Sequence, residues 1–183
     1  MIKFSREWSM PNSNTFSVKP IHDLIKRYIV REKPKVIIDP FARNSPFKKL
    51  CIATNDLSLD FDTTHHLEAL EFLKLFEDES ADMVLFDPPW TVRQISECYR
   101  SVGRKVHQTD TQSSFYGERK KEIARILKCD GIVICCGYNS GGIGKTLGME
   151  LLEILMVPHG GAHYDSIVTV ERKVYTESIM DVI

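Results

Sequence analysis

Hydrophobic and polar positions along the chain follow two periods, one typical of amphipathic helices and one typical of short buried strands. Apolar residues at helical spacing predict a helix over Lys19–Arg31, with Pro20 in its first turn. A second helical pattern covers about residues 65–77, and Ile123–Leu127 belong to a third predicted helix. Segments of strand type separate these helices, and this alternation is typical of an α/β fold.

Six short apolar runs predict the strands of a largely parallel sheet. They are Val36–Ile38, Leu50–Thr54, Met83–Phe86, Ile132–Cys136, Leu151–Val157 and Ile167–Val170. The last two runs are expected to form an antiparallel hairpin. Residues 1–17 have an irregular pattern, and residues 91–113 carry no assigned element. Because no linker or repeat interrupts the chain, residues 1–183 are predicted to form a single domain.

Composition restricts the class of protein. Apolar residues make up 43% of the chain and charged residues 27%, which is ordinary for a globular protein. The sequence has no apolar run long enough for a membrane span, and its N-terminus lacks the apolar core of a signal peptide. Five cysteines without a Cys-x-x-Cys pair indicate reduced thiols. We therefore expect a cytoplasmic location and no membrane partner.

A carboxylate, two prolines and an aromatic ring follow the apolar run Met83–Phe86. The prolines fix φ and make a stiff turn, and open α/β sheets bind their ligands at such carboxyl ends of strands. The Asp87 carboxylate and the Pro88 carbonyl can accept hydrogen bonds from an exocyclic amine, and Trp90 offers a face to a planar ring. These groups predict a site for an aromatic heterocycle that carries an amine.

The tetrapeptide Asp87–Trp90 resembles the Asp-Pro-Pro-aromatic signature of the amino-group methyltransferases, which transfer a methyl group from S-adenosylmethionine to a nucleobase amine. The resemblance implies a Rossmann-like class I methyltransferase fold, with a mostly parallel seven-stranded sheet, a C-terminal antiparallel hairpin and helices on both faces. The motif order is similar to that of small phage-type DNA adenine methyltransferases that lack a target-recognition domain. It implies methylation of the N6 amine of adenine in DNA, with a catalytic set of Asp87, Pro88, Pro89 and Trp90.

The segment Asp39–Ser45 resembles the first cofactor motif of this family, usually Asp-Pro-Phe-x-Gly-x-Gly. In this chain Arg43 and Ser45 stand where glycines are usual, and Asn44 is expected to supply a left-handed backbone conformation. The resemblance implies that the residues of this segment that contact S-adenosylmethionine are Asp39, Pro40, Phe41, Ala42 and Asn44.

Four further cofactor-contacting residues are implied by the resemblance. Asp56 matches the acidic residue that receives the ribose hydroxyls, and Glu68 matches the acidic residue that meets the adenine amine of the cofactor. Lys19 and Pro20 begin the motif that closes over the methionine end. The implied cofactor is S-adenosylmethionine.

The chain carries a net charge of −1, so its overall charge indicates no polyanionic partner. Basic residues nevertheless outnumber acidic ones in the segment after Trp90, where phosphate contacts would be needed. The expected contacts are Arg93, Arg100, Arg104 and Lys105. The predicted partner is nucleic acid, with DNA favoured over RNA. Because no target-recognition domain is present, sequence discrimination is expected to be poor or to come from a separate specificity subunit.

Other functions stay open at this point. They are methylation of adenine in RNA, methylation of cytosine N4, and a non-catalytic subunit that binds nucleic acid or a partner. The segment Asn139–Thr146 nearly matches a P-loop, but it lacks the leading glycine and follows the acid-ended strand instead of preceding it, which argues against an NTPase. His159 and His163 lack an evident third ligand, so no metal site is predicted.

Overall fold

The computed structural model of the chain describes residues 1–106, 113–161 and 163–175. Its strands are β1 Lys3–Arg6, β2 Ile37–Asp39, β3 Ala53–Thr54, β4 Ala81–Phe86, β5 Leu127–Gly137, β6 Met149–Val157 and β7 Ser166–Lys173. Its helices are α1 Lys19–Glu32, α2 Ala69–Leu73, α3 Val92–Ser101 and α4 Ser113–Ile126. Short 3-10 turns occur at Thr15–Ser17, Lys48–Leu50 and Lys145–Leu147.

The seven strands form one sheet in the order β1-β6-β7-β5-β4-β2-β3. Strand β7 runs antiparallel to both of its neighbours, and all other pairings are parallel. This arrangement confirms the predicted mostly parallel sheet with a C-terminal antiparallel hairpin. From β2 the chain continues to β3 on one side and then returns to place β4 on the other side. The strand order therefore reverses between β2 and β4, and open α/β sheets bind ligands beyond the carboxyl ends of such strands.

Alternate residues of the central strands pack against helices on opposite faces of the sheet. Met83 and Leu85 join the core beneath α1, where Ile25 is fully buried. Val84 and Phe86 point to the other core, which α2 and α4 cover. This alternation follows from the two-residue period of a strand and confirms the predicted helices on both faces.

Several element boundaries differ from the predictions. Strand β1 occupies part of the N-terminal segment expected to be irregular, and it forms one edge of the sheet by pairing with β6. The helix expected over residues 65–77 is limited to α2. The His65 amide donates to the Thr54 carbonyl and the His65 carbonyl accepts from the Asp56 amide, which holds the chain before α2 extended. Helix α3 lies within the unassigned segment 91–113, of which residues 107–112 fall outside the described residues.

The P-loop-like segment Asn139–Thr146 does not have the structure of a P-loop. Its last two residues begin a single 3-10 turn, and strand β6 comes next, instead of the helix that a P-loop opens. The amide N–H groups of Ile143 and Gly144 donate to the buried Glu171 carboxylate at 2.6 and 2.9 Å. An internal carboxylate therefore uses the amides that a phosphate would need.

Within the three described ranges, no helix is both long enough and apolar enough to cross a membrane.

Candidate active site

A cavity of about 650 Å³ opens at the carboxyl ends of β2 and β4, where the strand order reverses. Its volume lies within the range of about 300–1,000 Å³ that small-molecule and cofactor sites occupy. Four segments supply most of the lining: 11–16 before α1, 40–43 after β2, 55–58 after β3 and 87–90 after β4. The cavity therefore joins the predicted catalytic turn to two of the predicted cofactor segments.

The turn after β4 holds a carboxylate and an indole in contact. Trp90 Nε1 donates a hydrogen bond to Asp87 Oδ1 at 3.3 Å. Burial raises the pKa of Asp87 to about 6, and the side chains of Thr15 and Trp90 partly offset this rise. The Asp87 carboxyl group is consequently ionised at neutral pH but takes up a proton under mildly acidic conditions.

Neighbouring helices fix this turn through its backbone. The Tyr116 hydroxyl donates to the Pro89 carbonyl, and the Trp90 amide donates to Gln94 Oε1 at 2.8 Å. Gln94 also forms a capping box with Thr91 at the start of α3. Among the described residues none donates to the Pro88 carbonyl, which is therefore available to a ligand.

Asp39 ends β2 and lies behind the cavity lining, fully buried. Its Oδ1 accepts from the Phe41 amide at 3.1 Å, whereas its Oδ2 has no hydrogen-bond partner in the described part of the chain. Burial raises the pKa of Asp39 to about 8, and the nearby charge of Asp87 adds to the rise. The lining residues Pro40, Phe41 and Ala42 separate this carboxyl group from the cavity.

Arg43, and not Asn44, takes the left-handed conformation, with φ 40°. The Ala42 amide donates to the Asn55 carbonyl at 2.8 Å, and the Ser45 amide donates back to the Ala42 carbonyl at 2.6 Å. These two bonds place the sharp bend at Arg43, which lines the cavity. The expected left-handed conformation of Asn44 was wrong, because the positive φ belongs to Arg43. Asn44 is exposed and lies outside the cavity lining.

Asp56 lines the cavity at the end of β3, as the resemblance implies for a ribose acceptor. Its Oδ1 accepts from the Ser58 amide at 2.8 Å, and burial raises its pKa. The preceding Asn55 is a structural residue that the sequence did not single out. Its side-chain amide nitrogen donates to the backbone carbonyls of Pro40 and Leu67, and so connects the turn after β2 to the chain that leads into α2.

Glu68 also lines the cavity, but protein groups already bind its carboxylate. Arg119 and the Tyr99 hydroxyl donate to Oε1, and the Leu70 amide donates to Oε2 at 2.7 Å. Arg119 is buried, although it belongs to the segment with the excess of basic residues. The Glu68 carboxylate therefore links α2, α3 and α4 and already has partners at both oxygens.

Lys19 and Pro20 lie outside the cavity lining. Lys19 is exposed and pairs with Asp23 one turn along α1, and Pro20 is buried in the first turn of that helix. The chain just before α1 covers the cavity instead, through residues 11–16 and Val18. Helix α1 therefore begins directly after Val18, the last residue of this segment that lines the cavity.

Solved structures identify the fold. No family model and no curated protein matches the chain. The 1,6-didemethyltoxoflavin-N1-methyltransferase of Burkholderia thailandensis, solved with S-adenosylhomocysteine, is 14% identical over 86% of this chain and 78% of that chain, with a TM-score of 0.55. The N-methyltransferase NodS of Bradyrhizobium japonicum, also solved with S-adenosylhomocysteine, is 11% identical over 88% and 89%, with a TM-score of 0.54. The chain has the fold of S-adenosylmethionine-dependent methyltransferases. The structure of NSun6 from Pyrococcus horikoshii is similar over 79% of this chain and 49% of that chain, with 15% identity and a TM-score of 0.52.

Within this methyltransferase fold, the predicted phosphate contacts lie on or just after α3 and are exposed. Arg93 pairs with Glu97, and Arg104 stacks on the Tyr99 ring at 4.8 Å. None of the four, which are Arg93, Arg100, Arg104 and Lys105, lines the cavity. Their role in binding nucleic acid stays a prediction.

The β6–β7 hairpin adds lining residues that the sequence did not assign to the site. His159, His163 and Tyr164 reach the cavity from the loop between these strands. The His159 ring is held at both nitrogens, by the Ser9 carbonyl at 2.9 Å and the Ser166 hydroxyl at 2.8 Å. Within the described residues, no group of three or more side chains could hold a metal ion. The two hydrogen bonds fix the orientation of the His159 ring at the cavity.

Proposed function

We propose that this protein transfers a methyl group from S-adenosylmethionine to the exocyclic N6 amine of adenine in DNA. The observation that carries the proposal is the turn after β4, where Asp87, a free Pro88 carbonyl and Trp90 meet in a cavity at the strand-order reversal. Two of the solved structures with this fold are N-methyltransferases by name, which supports transfer to nitrogen.

The cavity residues fit the proposed cofactor. Asp56 offers a carboxylate oxygen to a ribose, and Phe41 and Phe61 supply apolar surface in the same cavity. The left-handed turn that glycine usually provides in the first motif forms here at Arg43. When bound, S-adenosylmethionine supplies a methyl group on a positively charged sulfur, which is an activated leaving group.

Asp87 and Pro88 would bind the target amine. Their two acceptors take the two N–H groups, which draws the nitrogen lone pair out of conjugation with the ring and towards the methyl donor. The stiff proline turn holds both acceptors in place, and orientation of this kind lowers the barrier by reducing the entropy that must be lost. Once the nitrogen has four substituents its proton becomes acidic, so a carboxylate with a pKa near 6 is a sufficient acceptor.

Trp90 would stack on the target base, which must be unpaired or flipped out of a duplex to enter the cavity. The indole is half-buried and held by Asp87, so its ring plane is fixed before a base arrives. The choice of adenine rests on the resemblance, since the tetrapeptide begins with Asp. The exposed basic side chains of α3 and the residues after it would contact the phosphates.

The test uses S-adenosylmethionine with a deuterated methyl group. The protein is incubated separately with single-stranded DNA, duplex DNA and RNA, and each polymer is digested to nucleosides for mass spectrometry. Labelled N6-methyldeoxyadenosine supports the proposal. Label in adenosine or in cytosine N4 would move the activity to one of the alternative substrates. Cofactor binding without label in any polymer would contradict the proposed substrate and favour a non-catalytic subunit.

A further inference from the structure

Acidic side chains outnumber basic ones in the lining of the cavity. Among the described residues, the lining includes four carboxylates but only one lysine or arginine, which is Arg43. Two of those carboxylates have their own partners, because Glu68 pairs with Arg119 and Glu97 pairs with Arg93. The other two belong to Asp56 and Asp87. Burial raises the pKa of both, and the charge of Arg43 offsets part of that rise.

The Arg43 guanidinium has no hydrogen bond and no ion pair within the described part of the chain. It lies over the Phe61 ring, 5.0 Å from the ring centre. Phe61 also lines the cavity, so the aromatic ring steadies the guanidinium without using its N–H groups. Five donors of a planar fork therefore remain available at the cavity.

The backbone conformation of Arg43 is a second observation that needs an explanation. Its φ of 40° lies in the left-handed region, which an arginine adopts at a cost and a glycine does not. The bonds of Ala42 impose this bend whatever the side chain, and a glycine would fit it better. Ligand binding by the side chain would explain why a strained arginine with free donors occupies this position at the cavity.

We infer that Arg43 is the anion-binding residue of the cavity and receives an oxyanion of a ligand through its paired N–H groups. Guanidinium suits this task, since its fork matches carboxylate and phosphate oxygens. The inference deepens the proposed function and rests on it. Two sources fit the chemistry, which are the carboxylate at the amino-acid end of S-adenosylmethionine and the phosphate of the target nucleotide.

The test compares Arg43→Gly, Arg43→Lys and the control Lys49→Gln, which removes an exposed charge outside the cavity. Calorimetry gives the dissociation constants of S-adenosylmethionine and of its decarboxylated analogue. Fluorescence anisotropy gives the affinity of a single-stranded oligonucleotide as a function of salt. Thermal melting checks the fold, and Arg43→Gly is expected to melt no lower than the wild type because glycine relieves the positive φ.

If Arg43 binds the cofactor carboxylate, Arg43→Gly weakens S-adenosylmethionine binding about 10- to 100-fold and leaves the decarboxylated analogue unchanged. If Arg43 binds phosphate, Arg43→Gly keeps the wild-type preference for S-adenosylmethionine over its decarboxylated analogue. The affinity for the oligonucleotide then falls, and the slope of its salt dependence decreases by about one ionic contact. Arg43→Lys is intermediate in either case, and Lys49→Gln matches the wild type.

Unchanged constants and an unchanged salt dependence in Arg43→Gly would overturn the inference. If the wild type binds S-adenosylmethionine in that experiment, only the inference about Arg43 fails, and the proposed function stands. If the wild type binds neither the cofactor nor the oligonucleotide, both fail together.

Discussion

The indole of Trp90 and the carboxylate of Asp87 are hydrogen-bonded, with 3.3 Å between Nε1 and Oδ1. One residue is assigned to stack on the target base and the other to accept a hydrogen bond from its amine. Because the two are joined, the orientation of the ring and the position of the acceptor are set by the same contact. The bond also lowers the pKa of Asp87 against the effect of burial.

Trp90→Ala and Trp90→Phe should separate these two roles. Loss of the ring should lower kcat/KM for a DNA substrate roughly 5- to 150-fold, which corresponds to about 1–3 kcal/mol for one stacked base. Phenylalanine retains most of the stacking but removes the donor to Asp87. The matched control is Trp8→Ala, since Trp8 is exposed and lies outside the cavity lining. A Trp90→Ala enzyme as active as the control on every substrate would contradict the stacking role.

The pH dependence of activity should show an acidic limb near pH 6. Burial raises the pKa of Asp87 to about 6, and only the ionised carboxylate accepts hydrogen bonds at both oxygens. kcat/KM should therefore fall as pH decreases through 6, and in Trp90→Phe the limb should move to higher pH because a stabilising donor is lost. A limb near pH 4, or one that Trp90→Phe shifts downwards, would show that another group controls the profile.

Asp39 should make the protein less stable as pH rises. Its pKa in the folded protein is about 8, well above the ordinary value of 3.8, so the folded state keeps a proton that the unfolded chain releases. The contribution of Asp39 to the free energy of unfolding is full below pH 4 and declines between pH 4 and 8, by at most about 1.4 kcal/mol per pH unit. Asp39→Asn should remove this decline.

Chemical denaturation at pH 5 and pH 8 measures the effect. The free energy of unfolding of Asp39→Asn minus that of the wild type should be larger at pH 8 than at pH 5. Asp62→Asn is the control, because Asp62 is exposed. A difference independent of pH would mean that Asp39 is ionised throughout this range.

The Glu68–Arg119 pair should be a structural element, not a cofactor contact. Arg119→Met leaves the Glu68 carboxylate with too few partners in a nearly buried position, and breaking such a pair costs about 3–5 kcal/mol. Arg93→Met removes the exposed pair with Glu97 and should cost less than about 1 kcal/mol. Urea unfolding compares the two. A stable Arg119→Met protein with weakened S-adenosylmethionine binding would instead favour the cofactor role of Glu68.

The fold was predictable where burial leaves a clear pattern. Strand β4 is buried along nearly its whole length and ends at Phe86, directly before Asp87, so its apolar run indicated both the strand and the turn. Strand β1 was missed, because an edge strand with exposed side chains such as Phe4 has no apolar signature. Helix α3 could have been found from its capping box, Thr91 with Gln94, and from the apolar spacing of Ile95 and Tyr99.

The site was predictable only where a contact lies within one segment. The predicted catalytic turn consists of four successive residues, so its groups are neighbours whatever the fold does. The side-chain partners of Glu68 come from α3 and α4, far along the chain, and no local pattern indicates that Arg119 is buried against it. The position of the left-handed residue likewise depends on the bond between Ala42 and the distant Asn55.

The most direct test of the account is methyl transfer by Asp87→Asn, measured together with its cofactor binding. An amide offers one acceptor oxygen and no charge, so transfer of the deuterated methyl group to adenine N6 should fall about 10²- to 10⁴-fold. The dissociation constant of S-adenosylmethionine should stay close to that of the wild type and of the control Asp62→Asn. Undiminished transfer, or an equal loss of transfer and of cofactor binding, would contradict the role assigned to Asp87.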